Sequence, residues 1–215
     1  MLIRAHSRRG MRPILTKALF HFDSDFTDSV GGNWTLHTYG GYPLINASGG
    51  KFNGYYQTQI ATSGKANYLE YTGNDGFFDL TEEDFTIDCW VKGITHSAPV
   101  YLYNTVNVLF KVTKSVLSCA INNSSANEIS SVIDTTNWTH VALVHKETLY
   151  YLFTNGTKVA EKVLPVPNAA TKHDLCWCYS QNSETRKLNV DEFRITAGAG
   201  WTANFTPPTA AYSLD

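Results

Sequence analysis

Cleaving a glycosidic bond requires two carboxylates held about 5–9.5 Å apart across a groove. The 19 Asp and Glu residues of this 215-residue chain offer no such pair on any segment that reads as a groove strand. The densest acidic run, Glu82-Glu83-Asp84, directly precedes a strand-like segment and reads as a solvated turn. Signatures of an activated nucleophile or a phosphate cradle are missing too: there is no Gly-x-Ser-x-Gly, no P-loop and no His-Glu-x-x-His. His140 and His145 lie five apart on one predicted strand and so face opposite sides. Cys89, Cys119, Cys176 and Cys178 each sit in a strand-like run. Zinc asks for a C-x₂₋₄-C pair with a second matching pair of ligands, which these spacings lack. The four thiols read as reduced core residues. The sequence thus predicts no enzyme and no required cofactor.

Charge separates the chain into two parts. Residues 1–17 carry Arg4, Arg8, Arg9, Arg12 and Lys17 with no acid, while the rest holds 12 basic against 19 acidic groups, a net −7. A mildly acidic body makes a poor nucleic-acid binder. Arg12 and Pro13 interrupt the place where a secretory signal would need about seven continuous apolar residues. That predicts synthesis in the cytoplasm without a signal peptide. No apolar run approaches 18 residues, so no membrane insertion is expected. Seven Asn-x-Ser/Thr triplets, at Asn33, Asn46, Asn122, Asn123, Asn137, Asn155 and Asn204, reflect an Asn- and Thr-rich loop composition.

The elements that must position any site are strands. Aromatics make up 13% of residues and charged residues only 17%, a balance that favours β structure. Helical periodicity is nearly absent, and short alternating runs are separated by Gly, Asn, Asp and Ser clusters at roughly 8–12-residue spacing. The clearest run is Phe85-Thr86-Ile87-Asp88-Cys89-Trp90-Val91-Lys92, with Phe85, Ile87, Cys89 and Val91 on one face and Thr86, Asp88, Trp90 and Lys92 on the other. Further strands are predicted at 17–22, 99–103, 107–113, 115–121, 138–146, 174–180 and 188–196. Asn155-Gly156 joins 149–154 to 157–163 as a type I′ hairpin, because both turn positions need positive φ. The strands at 138–146 and 149–154 are apolar on both faces, so their outer face is either covered or lines a concave groove.

Four segments in order carry a resemblance to a known family: Ala18–Asp23, Asp84–Lys92, Asn137–Ala142 with Tyr150–Gly156, and Asp191–Thr196 followed by Trp201 and Ala203–Thr209. The chain resembles the concanavalin-like, laminin-G-like jelly-roll family over residues 18–209, and its closing Ala-Asn-Phe-Thr-Pro-Pro-Thr is most similar to bacteriophage virion versions. The resemblance implies an all-β, two-sheet antiparallel jelly-roll sandwich over 18–215, preceded by a short irregular arm over 1–17. Relatives that hydrolyse glucans carry Glu-x-Asp-x-x-Glu on one strand, a string absent here. His140 falls in the fold's own Trp-x-His-Val segment and is expected to pack with a satisfied ring nitrogen.

Glycan binding in such sandwiches stacks aromatic rings on sugar faces. The candidates are Trp90, Tyr101, Tyr103, Tyr150 and Trp177 on strands, with Trp34, Tyr39 and Tyr42 in the Gly-rich stretch 31–42. The competing reading is that these rings fill the core and cap loops. Calcium is a candidate structural ion, held where first and last strands meet by Asp23, Asp28 and Asp191, with Asp25 and Glu192 beside them. The alternative there is that these acids cap turns or pair with Arg194. The arm, through Arg4, Arg8, Arg9, Arg12, Ile14 and Leu15, reads as an assembly segment docking on other virion subunits. The expected protein is a non-enzymatic phage structural component, oligomeric or part of a larger assembly, that displays a jelly roll and adheres to host cell-surface glycans. The alternative is an adhesion module of a bacterial surface protein.

Overall fold

The computed structural model describes residues 14–38, 44–58, 67–71, 80, 83–93, 99–170, 172–178 and 188–214. Among them, fifteen strands form two antiparallel sheets, and the only helix is a 3-10 turn at Ser125–Asn127. The first sheet runs in the order β13 (Thr157–Val163), β12 (Leu149–Thr154), β11 (Thr139–Lys146), β6 (Phe85–Lys92), β15 (Asn189–Ala197), β4 (Tyr55–Gln57) and β3 (Leu44–Asn46). β1 (Leu15–Phe20) also pairs with β15. The second sheet runs β10 (Glu128–Val132), β9 (Val116–Ile121), β8 (Val108–Thr113), β7 (Val100–Asn104), β14 (His173–Cys178), β5 (Tyr68–Tyr71) and β2 (Trp34–His37). The architecture is the expected jelly-roll sandwich.

Alternation along the strands builds the core. Phe85, Ile87, Cys89 and Val91 of β6 are all fully buried between the sheets with Val141 and Leu143 of β11. At one end Phe20, Phe22, Phe26, Trp34, Tyr56 and Tyr71 form a chain of ring contacts at 5.2–6.0 Å. The four cysteines are buried, and burial pushes the thiols of Cys89, Cys119 and Cys176 up, which keeps them protonated.

The Asn-Gly hairpin forms with Asn155 at φ +48° and Gly156 at φ +75°, as a type I′ turn requires. Gly156 is needed for a second reason. A Cβ there would collide with the Phe205 carbonyl, and Phe205 N–H donates to the Gly156 carbonyl at 2.9 Å. The hairpin tip thereby receives the C-terminal segment, which crosses the outer face of the first sheet. Trp201 and Phe205 stack at 3.8 Å and pack on Ala142, Val144, Tyr151 and Phe153. The two-faced strands are apolar outside because this strap covers them, not because they line a groove.

Under the strap lies a polar hub. Asp88 is fully buried. Its carboxylate accepts from Arg194 Nε and Nη2 at 3.1 Å each and from the Tyr212 hydroxyl at 2.7 Å, and it lies 3.2 Å from His140 Nε2. Arg194 also stacks on the Tyr212 ring. Burial drives the Asp88 carboxyl up, but His140 and Arg194 outweigh it and hold the group below its ordinary value. His140 has one ring nitrogen engaged, as expected, while its Nδ1 is buried without a partner.

The N-terminal boundary of the sandwich differs from the sequence reading. β1 begins at Leu15, so Leu15 and Thr16, placed in the arm from sequence, pair with β15, and Ile14 sits against Gly198. Arg4, Arg8, Arg9 and Arg12 fall outside the described residues, as do Tyr39, Tyr42, Glu82 and the end of the strand predicted at 174–180.

Replacing Asp88 with Ala strands the guanidinium and imidazole of the hub. Breaking a buried pair costs about 3–5 kcal/mol. At roughly 2–4 °C per kcal/mol for a domain of this size, Asp88→Ala should melt roughly 6–20 °C below wild type. Tyr212→Phe, which keeps the ring and loses only the hydroxyl, should fall by less than half as much. A thermal denaturation series checks both, and an unchanged Asp88→Ala melting point would contradict the hub.

Candidate functional site

The expected calcium acids are committed to protein donors. Asp28 accepts from Leu19 N and Val30 N through one oxygen and from Gly32 N and Trp34 Nε1 through the other, all at 2.9–3.0 Å. Four donors fill all the lone-pair sites of a carboxylate. Asp23 accepts from Gly54 N and Asn53 Nδ2. Asp191 Oδ2 accepts from Lys51 N and Phe52 N at 2.6 and 3.2 Å, while its Oδ1 is buried with no partner. Glu192 takes the Tyr212 amide and His21 rather than Arg194. Among the described residues no group of three or more His, Cys, Asp or Glu side chains is arranged to hold a metal ion. The donor set fits loop clamping, with Asp28 holding four donors and Asp23 and Asp191 two each.

The five strand aromatics separate by burial. Tyr103 and Tyr150 are fully buried, with hydroxyls on His173 Nδ1 at 2.7 Å and the Pro165 carbonyl at 3.4 Å. Trp90 faces outward from β6 but is only 5% exposed, because the 47–54 loop lays Lys51 Nζ 4.1 Å over its ring and Phe52 edge-on at 6.0 Å. These three are structural. Tyr101 and Trp177 remain half-exposed and meet at 5.1 Å on neighbouring strands.

A matched pair of irregularities puts that couple on the outside of the second sheet. Pairing of β7 with β8 slips between Tyr101 and Tyr103, leaving Leu102 as an extra residue. Opposite it, β14 pairs Leu175 with Tyr103 and Trp177 with Tyr101, with Cys176 at φ +56°. Leu102, Tyr103, Leu175 and Cys176 all turn inward. Residues three apart on a regular strand face opposite sides. Here the two bulges bring Asp174 and Trp177 to one face, together with Asn104 and Tyr101. Bulges that re-aim side chains are a recurrent device beside functional sites.

Beside this couple runs a cross-strand row that the sequence reading missed. Glu70 of β5 lies directly opposite Asp174 of β14. Lys172 Nζ bridges them at 2.7 and 3.5 Å and lies 5.1 Å over the Tyr68 ring. His37 stacks on Tyr68 at 4.7 Å and reaches Glu70 at 3.5 Å. Burial pushes the Asp174 carboxyl up to about 6, with Lys172 pulling the other way. Lys111, opposite Tyr101, pairs with Glu128 at 3.4 Å. The available signal was an acid inside an apolar strand, His-Asp-Leu-Cys-Trp-Cys. The pairing partner Glu70 sits on a four-residue strand that alternation does not reveal.

Comparison with known proteins places the fold. A family model described as the concanavalin A-like lectin/glucanases superfamily matches residues 63–199. No curated protein matches the chain. Among solved structures, the chain is similar in fold to botulinum neurotoxin type C, whose cell entry depends on interaction with two ganglioside molecules (14% identity, TM-score 0.66, 85% of this chain, 47% of that one). It is likewise similar to the binding domain of botulinum neurotoxin DC in complex with rat synaptotagmin II (12%, 0.67, 86%, 48%), and to the binding domain of Paraclostridial Mosquitocidal Protein 1 (15%, 0.67, 86%, 49%). The chain thus spans about half the length of these toxin chains.

Asp191 gives the region a pH signature. Its carboxyl is pushed up to about 7 by burial and by the nearby Glu192 and Asp23, against the pull of the Phe52 and Lys51 amides. A folded-state value above the unfolded one of about 3.9 means that the native chain holds an extra proton between those limits. Stability therefore falls as pH rises from about 4 to 7 and levels off above. Asp191→Asn keeps an acceptor for both amides and has no charge to bury. Its melting temperature should exceed wild type by a margin that grows from pH 5 to pH 8, and a margin independent of pH would refute the assignment.

Proposed function

Because the chain belongs to the concanavalin A-like lectin/glucanases superfamily, we propose that it is a non-enzymatic, lectin-like recognition module that engages glycans on the outer face of its second sheet. The observation that carries this reading is the half-exposed Tyr101–Trp177 couple, brought by paired bulges onto the same face as Asn104 and Asp174. Rings offer an apolar platform, and the amide and carboxylate supply oriented hydrogen bonds, the combination that fixes a polar ligand. The toxins that share the fold support the direction, since one enters cells through gangliosides and another binds synaptotagmin.

Glu70 and Asp174 make a carboxylate pair on adjacent strands, so hydrolysis is the rival chemistry. Glu70 is held at 2.7 Å by Lys172, which also lies 3.5 Å from Asp174, so one member of the carboxylate couple that hydrolysis needs is committed to an ammonium. The pair therefore serves recognition.

The setting we propose is a bacteriophage virion, where the module is displayed outward and attached, in a larger or oligomeric assembly, by its N-terminal segment. Arg4, Arg8, Arg9 and Arg12 supply charge complementary to an acidic neighbour, and Ile14 and Leu15, 47% and 55% exposed, supply apolar contact. At physiological salt the Debye length is about 8 Å, so charge steers the contact and apolar burial holds it.

Truncating a central aromatic of a recognition site costs about 2 kcal/mol or more, roughly a thirtyfold loss. Trp177→Ala should weaken binding to oligosaccharides by that order with its melting curve preserved, while Trp90→Ala should destabilise the fold instead. No sugar should be released from bacterial polysaccharide, and release abolished by Glu70→Gln would overturn the non-enzymatic reading. Deleting residues 1–13, short of β1, should leave the melting curve unchanged and reduce incorporation into particles, since the steering charge is lost while Ile14 and Leu15 remain. Equal incorporation would place attachment on the sandwich.

A further inference from the structure

We infer that the outer face of the second sheet selects neutral, hydroxyl-rich sugars and rejects anionic ones, with Asp174 as the residue that discriminates. The inference rests on the lectin reading above and adds the ligand class. Its first support is an unfilled acceptor. Asp174 is 6% exposed; its Oδ2 receives a long bond from Asn104 Nδ2 at 3.5 Å. Its Oδ1 accepts no hydrogen bond and has only the 3.5 Å approach of Lys172. A buried carboxylate oxygen left short of donors is costly, and a sugar hydroxyl is a donor that would satisfy it. The bulge sets the reach. Three residues of strand, roughly 7–10 Å, separate Asp174 from the Trp177 ring, a span of one to two pyranose rings.

The second support is the charge of the face. Among the described residues its acids are Glu70, Asp174 and Glu128, and its basic groups are Lys111, Lys172 and His37, the last 3.5 Å from Glu70. Lys111 is paired with Glu128, and Lys172 is shared by Glu70 and Asp174, so neither ammonium is left over for a ligand carboxylate or sulfate. Among the described residues an anionic sugar stacked on Trp177 would meet Asp174 and Glu70 with no uncommitted ammonium, and like-charge juxtaposition of this kind is how an interface refuses a partner. The ligand class thus differs from the gangliosides through which the toxin of the same fold enters cells.

The test uses the full chain on an immobilised array of glucose-, galactose- and mannose-terminated oligosaccharides, beside the same cores carrying sialic acid or sulfate. At least one neutral core should bind at least tenfold more tightly than its acidic counterpart, with the signal lost in Trp177→Ala. Asp174→Asn, which keeps the shape and removes the charge, should narrow the neutral-to-acidic ratio at least fivefold, with a melting curve confirming that it folds. Tighter Trp177-dependent binding of the acidic cores, or an unchanged ratio in Asp174→Asn, would overturn the inference and leave the lectin reading standing. Binding of neither class would overturn both.

Discussion

One buried carboxylate organises the first sheet. Asp88 sits on the outward face of β6, where an unpaired charge under an apolar strap would cost several kcal/mol. Its neighbours are arranged to prevent that: Arg194 from β15 on one side, His140 from β11 on the other, and Tyr212 closing from the C-terminal segment. The consequence runs outward. Tyr212 can reach Asp88 only if residues 199–212 lie flat across the sheet. That path requires Gly156 at the hairpin tip and apolar Ala142, Val144 and Phe153 beneath. With this face closed by the strap, and by the 47–54 loop over Trp90, the Tyr101–Trp177 couple offers its rings on the second sheet.

Strands with strong alternation were legible from the sequence almost to the residue. The run Phe85–Lys92 and the hairpin 149–154/157–163 coincide with β6, β12 and β13. β2, β3, β4, β5 and β10 went unpredicted. They are three to five residues long, too short for a period-two pattern to rise above Gly-, Asn- and Ser-rich surroundings, and pairing with longer strands makes them. The start of β1 was placed late for a similar reason. Leu15 and Thr16 are stabilised by Ala197 and Thr196 of β15, nearly the whole chain away, and not by their own sequence.

The site was legible only in part. Residue type alone put Tyr103, Tyr150 and Trp90 on a par with Tyr101 and Trp177, and only the paired slips at Leu102 and Cys176 decide which rings emerge. A bulge costs one residue of register and leaves no fixed signature when neither strand contains Gly. The acids show the converse. Asp28 and Asp191 were conspicuous as candidate ligands, yet the donors set against them are mostly backbone amides, and no sequence pattern reveals which N–H groups a loop will turn inward. Glu70 and Asp174, unremarked in the sequence, gain their meaning from facing each other across two strands.

The connectivity of the first sheet bears on how the chain is made. β6 is flanked by β11, about 50 residues later, and by β15, about 100 residues later. At the 5–20 residues per second of protein synthesis, the β15-facing edge of β6 stays unpaired for roughly 5–20 s after it emerges. Throughout that interval Asp88 lacks the guanidinium and phenol that later surround it, so a charged group stands on the waiting edge. Charge at an open edge is a recognised deterrent to pairing with foreign strands. The acid that anchors the finished sandwich thus acts earlier as its own guard, keeping the nascent edge in solution until the last strand arrives.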